Sequence, residues 1–243
     1  MNFKMIYIVI FLALGIIVSL FISYKLLRNL YSKELMLRLD PIFESNTIVL
    51  RSIDFLLLGD SRIAQWSIPD SIIPSSNVLN YGVYSQTSFQ VLTRTSDYFG
   101  NYKAQFAIIQ VGINDLKVIG IYPEKKSHII NQTIKNIKSI LELCIQNDCT
   151  PIFITILPTG PLELKRIPFC NNEIEAAIIT ANIELIKYCK NRKIEYLDFD
   201  GLVLNESKTY KKSYYKNYLH LNELGYDRIN SLLYNILSKT YSK

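Results

Sequence analysis

The sequence is short of the residues that build metal clusters and knotted small folds. It has two histidines, four cysteines and one tryptophan among 243 residues, with nine glycines and eight prolines. No two cysteines have the C-x-x-C spacing of a zinc or redox site. The net charge of +6 is modest for this length, and it comes without a basic stripe, zinc-finger spacing or RNA-binding aromatic motif, which argues against nucleic acid as a partner. Charged residues make up 20% and hydrophobic residues 49%, so the chain is not disordered by composition. No internal repeat or low-complexity tract is present. Cys144 lies on a helical face with Ile134, Ile137 and Leu141, and Cys189 follows Leu185 and Ile186; both read as small core hydrophobes. Cys149 and Cys170 complete an even count, which in an exported domain permits a disulfide whose pairing the sequence does not specify.

What is present begins with a long apolar run. Residues 6–22 contain no charge, and Leu26 and Leu27 extend the run past Lys25. This is close to the ~20 residues a helix needs to cross the hydrocarbon of a bilayer. It is longer than a typical signal-peptide core, and no small-x-small cleavage site follows. Residues 1–28 are therefore expected to be a transmembrane anchor, residues 29–50 a juxtamembrane spacer ended by Pro41, and residues 51–243 the folded domain. Lys25, Arg28, Lys33 and Arg38 follow the span, and alone they favour a cytoplasmic domain. A very short leading tail, one span and a globular domain form the common export anchor, so the expectation is an extracytoplasmic domain.

Beyond residue 50, short apolar runs alternate with amphipathic ones. Strands are predicted at 54–58, 78–80, 106–111, 151–157 and 194–199, rich in Ile, Leu, Val and Phe without strict alternation, as expected of parallel strands covered on both faces. Helices are predicted at 87–99, 125–146, 172–191 and 222–239. The pattern implies a three-layer α/β/α sandwich around a five-stranded parallel sheet. In such folds the working residues gather at the carboxyl ends of the strands.

Four short segments fall there. Gly59-Asp60-Ser61 ends the first strand, and a glycine at that point lets the chain turn and present the next side chains. Asn80-Tyr81-Gly82 follows the second strand and offers a backbone N–H at Gly82. Gly112-Ile113-Asn114-Asp115 follows the third, where the Asn114 amide could donate to a developing oxyanion. His220 precedes the last helix, whereas His128 lies in an amphipathic helix and reads as solvated. Each segment alone is ordinary turn composition; order and strand-end placement set the group apart.

Together these segments resemble the SGNH hydrolases, also called the GDSL family, over most of residues 54–230. The resemblance implies a flavodoxin-like sandwich and serine-ester chemistry with no metal or organic cofactor. By it, Ser61 is the nucleophile and His220 the base, with Ser61 N–H, Gly82 N–H and the Asn114 side chain as the oxyanion hole and Asp60 and Asp115 in support. No Gly-x-Ser-x-Gly elbow supports an ordinary α/β-hydrolase. One departure stands out: the family places Asp three residues before the histidine, and this chain has Asn217. An Asn carbonyl or a backbone carbonyl could still orient the ring, and Asp198 and Asp200 are substitute acids. The resemblance points to an acylated carbohydrate or lipid ester as substrate, and first to removal of acetyl groups from cell-surface carbohydrate. The alternatives are an O-acyltransferase using the same Ser and His, a weakly active or non-catalytic polysaccharide-modification subunit, and a lysophospholipase or thioesterase. The Lys/Tyr-rich residues 208–216 read either as a solvated loop or as a lid over the site.

Overall fold

A computed structural model describes residues 3–37, 51–73, 77–199, 201 and 212–241. Residues 38–50, Asp200 and residues 208–211 of the expected spacer, substitute acid and lid lie outside the described residues. The chain divides into two compact units, residues 1–39 and 40–243.

The first unit is one helix, α1 (Phe3–Leu37). Its segment Lys4–Leu30 has mean hydropathy 3.0 and is not buried anywhere within the protein, so it is long and apolar enough to cross a membrane or serve as a signal sequence. The helix runs on past the apolar segment through Leu37, into the residues expected as a spacer.

The second unit holds five parallel strands: β1 (Arg51–Gly59), β2 (Val78–Gly82), β3 (Tyr102–Gln110), β4 (Thr150–Ile154) and β5 (Glu195–Leu197). Their order is β2-β1-β3-β4-β5, and every pairing is parallel. Central β1 shows why the strands lack alternation. Phe55 and Leu57 enter one core cluster and Leu56 and Leu58 the other, all four buried. Phe55 stacks on Phe106 of β3 at 5.1 Å, which continues the same face.

Helices α3 (Ser88–Asn101), α5 (Lys126–Gln146) and α6 (Asn172–Arg192) supply side chains to the first cluster. The terminal helix α7 (Glu223–Tyr241) supplies Ile229, Leu233 and Leu237 to the second. The result is the expected α/β/α sandwich. Local signals fix where helices begin: Thr87 and Gln90 form a capping box on α3, and Asn171 caps α6 ahead of Glu173 and Glu175. All four cysteines are free thiols; Cys144 and Cys149 are hydrogen-bonded neighbours at the end of α5, and burial helps push the Cys144 thiol up.

Strands β2 and β3 flank β1, so the connections leaving β1 (to β2) and β3 (to β4) diverge and open a crevice at their carboxyl ends. Two short helices start there, α2 (Ser61–Ala64) after β1 and α4 (Ile113–Leu116) after β3. Gly112 opens α4 with φ +125°, a backbone conformation in which any other side chain would be strained.

Candidate active site

Ser61 is the first residue of α2, and its backbone N–H therefore has no partner within that helix. Asp60 caps the helix, accepting Arg62 N–H on Oδ1 at 2.9 Å. Burial raises the Asp60 carboxyl above its ordinary range against the pull of Arg62 and Lys117.

Across the crevice, Ser61 Oγ lies 3.1 Å from His220 Nε2. The opposite ring nitrogen, Nδ1, lies 3.1 Å from Asn217 Oδ1. That oxygen also accepts the backbone N–H groups of Leu219 and His220, each at 3.0 Å. Two backbone donors on one amide atom identify it as the carbonyl oxygen. Nδ1 must then carry the proton and donate it to Asn217, which leaves the Nε2 lone pair for the Ser61 hydroxyl. This is the tautomer a general base needs. Asn217 thus occupies the orienting position, and Asp198 instead accepts Gly201 N–H at 3.2 Å.

The histidine loop is held from below by a residue that sequence reading passed over. Arg62 is 2% exposed, and its guanidinium donates from Nε to Leu219 O at 2.6 Å, from one terminal nitrogen to Leu157 O at 2.8 Å and from the other to Pro158 O at 3.1 Å. It ties the Ser61 turn to the loop carrying His220 and to the segment leaving β4. Its signal was present as a charge directly after Ser61, between an apolar strand and Ile63-Ala64.

No carboxylate touches the ring among the described hydrogen bonds and ion pairs. Burial, followed by the positive field of Arg62, Arg166, Lys117 and Lys216, pushes His220 down to about 4. His220 is therefore neutral at physiological pH.

Asn114 is buried at the start of α4. Its Nδ2 donates to Gln86 O at 3.0 Å and its Oδ1 accepts Lys117 Nζ at 2.6 Å. Asp115 points away from this chemistry. Its carboxylate accepts Ser88 N–H at 2.8 Å and Ser88 Oγ–H at 2.6 Å, and Asn136 Nδ2 in turn donates to Ser88 Oγ at 3.0 Å. Burial pushes Asp115 up to about 6. Its place is to pin the start of α3 against α4.

Gly82 does not take the expected position. Its N–H is already donated to Asn80 Oδ1 at 3.0 Å, while Asn80 Nδ2 reaches Ile63 O and Trp66 O. A Cβ on Gly82 would come within 2.3 Å of Ala64 N, so this glycine lets β2 pack against α2. The unusual backbone lies three residues later: Ser85 has φ +65°, in the left-handed region a non-glycine rarely adopts. The next residue, Gln86, meets Asn114 through its carbonyl and receives Arg94 Nε on its side chain at 2.6 Å. Arg94 is itself buried and also donates to Tyr81 O at 2.8 Å, which fixes the loop between β2 and α3. The second histidine, His128, is exposed on α5.

A strand-end serine facing a histidine is an arrangement that ester-cleaving enzymes use. The profile of the GDSL-like Lipase/Acylhydrolase family matches residues 58–228, and the chain belongs to that family. No curated protein matches the chain. Among solved structures it is similar to a GDSL-like lipase from Bacteroides thetaiotaomicron VPI-5482 (21% identity, TM-score 0.62, covering 88% of this chain and 98% of that one). It is also similar to the aryl esterase of M. smegmatis (11% identity, TM-score 0.59, covering 79% and 99%). An acetyl xylan esterase from Geobacillus stearothermophilus is a third (15% identity, TM-score 0.58, covering 76% and 95%). At these identities the structural likeness shows the fold, and the family match carries the ester-hydrolase class.

Proposed function

We propose that this chain is a serine esterase that removes acetyl or other short acyl groups from cell-surface carbohydrate. The observation that carries the reading is the relay from Ser61 Oγ to His220 Nε2 and from Nδ1 to Asn217 Oδ1, each contact at 3.1 Å. Ser61 attacks the ester carbonyl as His220 takes its proton. The tetrahedral oxyanion is met by the Ser61 N–H and the remaining Nδ2–H of Asn114. His220 then protonates the leaving alkoxide, and water repeats the sequence on the acyl-enzyme.

The acetyl xylan esterase among the structural neighbours supports a short acyl group on a sugar. The apolar helix Lys4–Leu30 supports retention at a membrane as a single-pass anchor; the extracytoplasmic side of the catalytic domain is part of the same proposal.

The test is hydrolysis of p-nitrophenyl acetate and labelling by a fluorophosphonate probe, comparing wild type with Ser61→Ala. Wild type is expected to hydrolyse and to label at Ser61, and the variant to do neither. Equal hydrolysis by the two would remove Ser61 as nucleophile. With an acetylated oligosaccharide, mass spectrometry should show free acetate and deacetylated sugar. Acetyl transfer to a second sugar would instead make the chain a transferase.

A further inference from the structure

Asn114 is the one side chain proposed to face the oxyanion, and the atom behind its amide is the ammonium of Lys117. The two residues are three apart where α4 runs into the following turn, which stacks them on one face. Buried Ile113, Leu116 and Ile119 anchor that short segment in the core. Lys117 Nζ reaches Asn114 Oδ1 at 2.6 Å, and Asn114 Nδ2 reaches Gln86 O at 3.0 Å. An ammonium can only donate and a carbonyl can only accept, so the amide has a single permitted orientation. One of its two N–H groups goes to Gln86, and the other stays available to the crevice. A cation on the oxygen also draws electron density through the conjugated amide, which makes the remaining N–H a stronger donor.

We propose that Lys117 is a positioning residue of the oxyanion hole: it locks the Asn114 amide and polarises the N–H offered to the tetrahedral oxyanion. This rests on the esterase reading of Ser61 and Asn114. It also gives the missing carboxylate a physical counterpart. Where an acid backs the histidine, the imidazolium half of the transition-state ion pair is stabilised. Here the orienting group is neutral Asn217, and the charges facing His220 are Arg62 from α2, Lys117 after α4, Arg166 from the segment before α6 and Lys216 from its own loop. Arg166 is itself paired with Glu163. That field disfavours the imidazolium and favours the oxyanion, so transition-state stabilisation is weighted towards the hole.

The experiment uses the full chain in detergent with p-nitrophenyl acetate. Removing an oxyanion donor outright costs about 10²–10³ in kcat, so weakening it through Lys117→Met is expected to cost about 10-fold. KM should stay within about 2-fold, and Lys117→Arg, which keeps the cation, should stay within about 3-fold of wild type. The acid limb of kcat/KM should rise in Lys117→Met, since one of the four cations opposing protonation of His220 is gone. In the Asn114→Ala background, Lys117→Met should change kcat by less than about 2-fold, because the group it acts through is absent. The Asn114 side-chain amide resonances should move in Lys117→Met and return in Lys117→Arg, a readout that needs no turnover. Unchanged kcat, full additivity with Asn114→Ala, or unmoved amide resonances would each overturn the proposal. If Ser61→Ala hydrolyses as fast as wild type, the esterase reading fails first and takes the proposal with it.

Discussion

His220 Nδ1 donates to Asn217 Oδ1 at 3.1 Å, so a neutral amide oxygen stands where a carboxylate is usual. In the trypsin example, replacing the acid by Asn costs about 10⁴ because the ring adopts the wrong tautomer. Here the two backbone N–H groups on Asn217 Oδ1 prevent that, since they hold the carbonyl oxygen towards the ring. Orientation is preserved and only the charge is missing. Asn217→Asp keeps the three acceptor contacts and adds a carboxylate beside the imidazolium. It is expected to raise kcat on p-nitrophenyl acetate by about 10-fold, well short of 10⁴, because the tautomer share of that cost is absent here. A decrease would mean that the negative charge disturbs the loop more than it helps the base.

The same substitution and wild type should differ in pH dependence. With His220 held down to about 4, the base stays unprotonated through the range where an ordinary histidine becomes charged. Wild-type kcat/KM is expected to be flat from pH 7 to about 5 and to fall through about 4. In Asn217→Asp the limb should move upward, because an adjacent carboxylate favours the imidazolium. Melting temperature is the poorer readout. The folded protein binds the His220 proton more weakly than the unfolded chain, which lowers stability as pH falls from about 6.5 towards 4. Asp115, raised from 3.8 to about 6, acts in the opposite sense: its contribution is fully present below 3.8 and is lost as pH rises through 6. The two largely offset each other, so the rate profile is what separates the variants.

Arg62 should matter to both stability and rate. Its three carbonyl contacts join the Ser61 turn to the histidine loop and the segment after β4, and its charge is buried two residues from Asp60. Arg62→Met removes the donors, leaves three carbonyls without them and takes away a cation whose field opposes the rise of the Asp60 carboxyl. The expected cost is about 3 kcal/mol, the scale of losing buried hydrogen bonds from a charged donor. That corresponds to a drop on the order of 6–12 °C in Tm. Arg62→Lys should recover only part of it, since one ammonium cannot span the three carbonyls that the planar fork reaches. Circular dichroism melts of the three proteins, alongside kcat, would show whether the loop loosens before the domain unfolds.

The strands and helices were readable because a parallel sheet covered on both faces leaves uninterrupted apolar runs, as in Phe55 to Leu58. The strand-end rule picked out Ser61 and Asn114 after β1 and β3, and the fold sets His220 3.1 Å from Ser61. What stayed hidden has a common cause: each feature depends on a neighbour distant in sequence. Gly82 reads as a turn glycine whether it faces a substrate or packs on Ala64, and only the Asn80 contact distinguishes these. Ser85 carries no marker for a left-handed backbone, because serine seldom adopts one. Arg62 and Lys117 read as solvated charges by default. Their partners, the Leu219, Leu157 and Pro158 carbonyls and the Asn114 amide, become visible only once the loops have closed around them.

The apolar helix makes the last prediction one about place. Lys4–Leu30 is 27 residues, about 40 Å of helix, against ~30 Å of hydrocarbon, so it can span with some tilt. A cleaved signal sequence would leave the domain free of it, whereas an anchor would leave it attached. The full chain is expected to sediment with membranes, to resist alkaline carbonate, and to retain its original amino terminus by sequencing. Sidedness follows from protease treatment. With an extracytoplasmic domain, protease added outside intact cells or spheroplasts should degrade it, and inverted vesicles should protect it. The opposite pattern would place Ser61 in the cytoplasm, in line with Lys25 and Arg28 directly after the apolar run. In that case a cell-surface polysaccharide could not be its substrate, and an acylated precursor on the inner face would have to take its place.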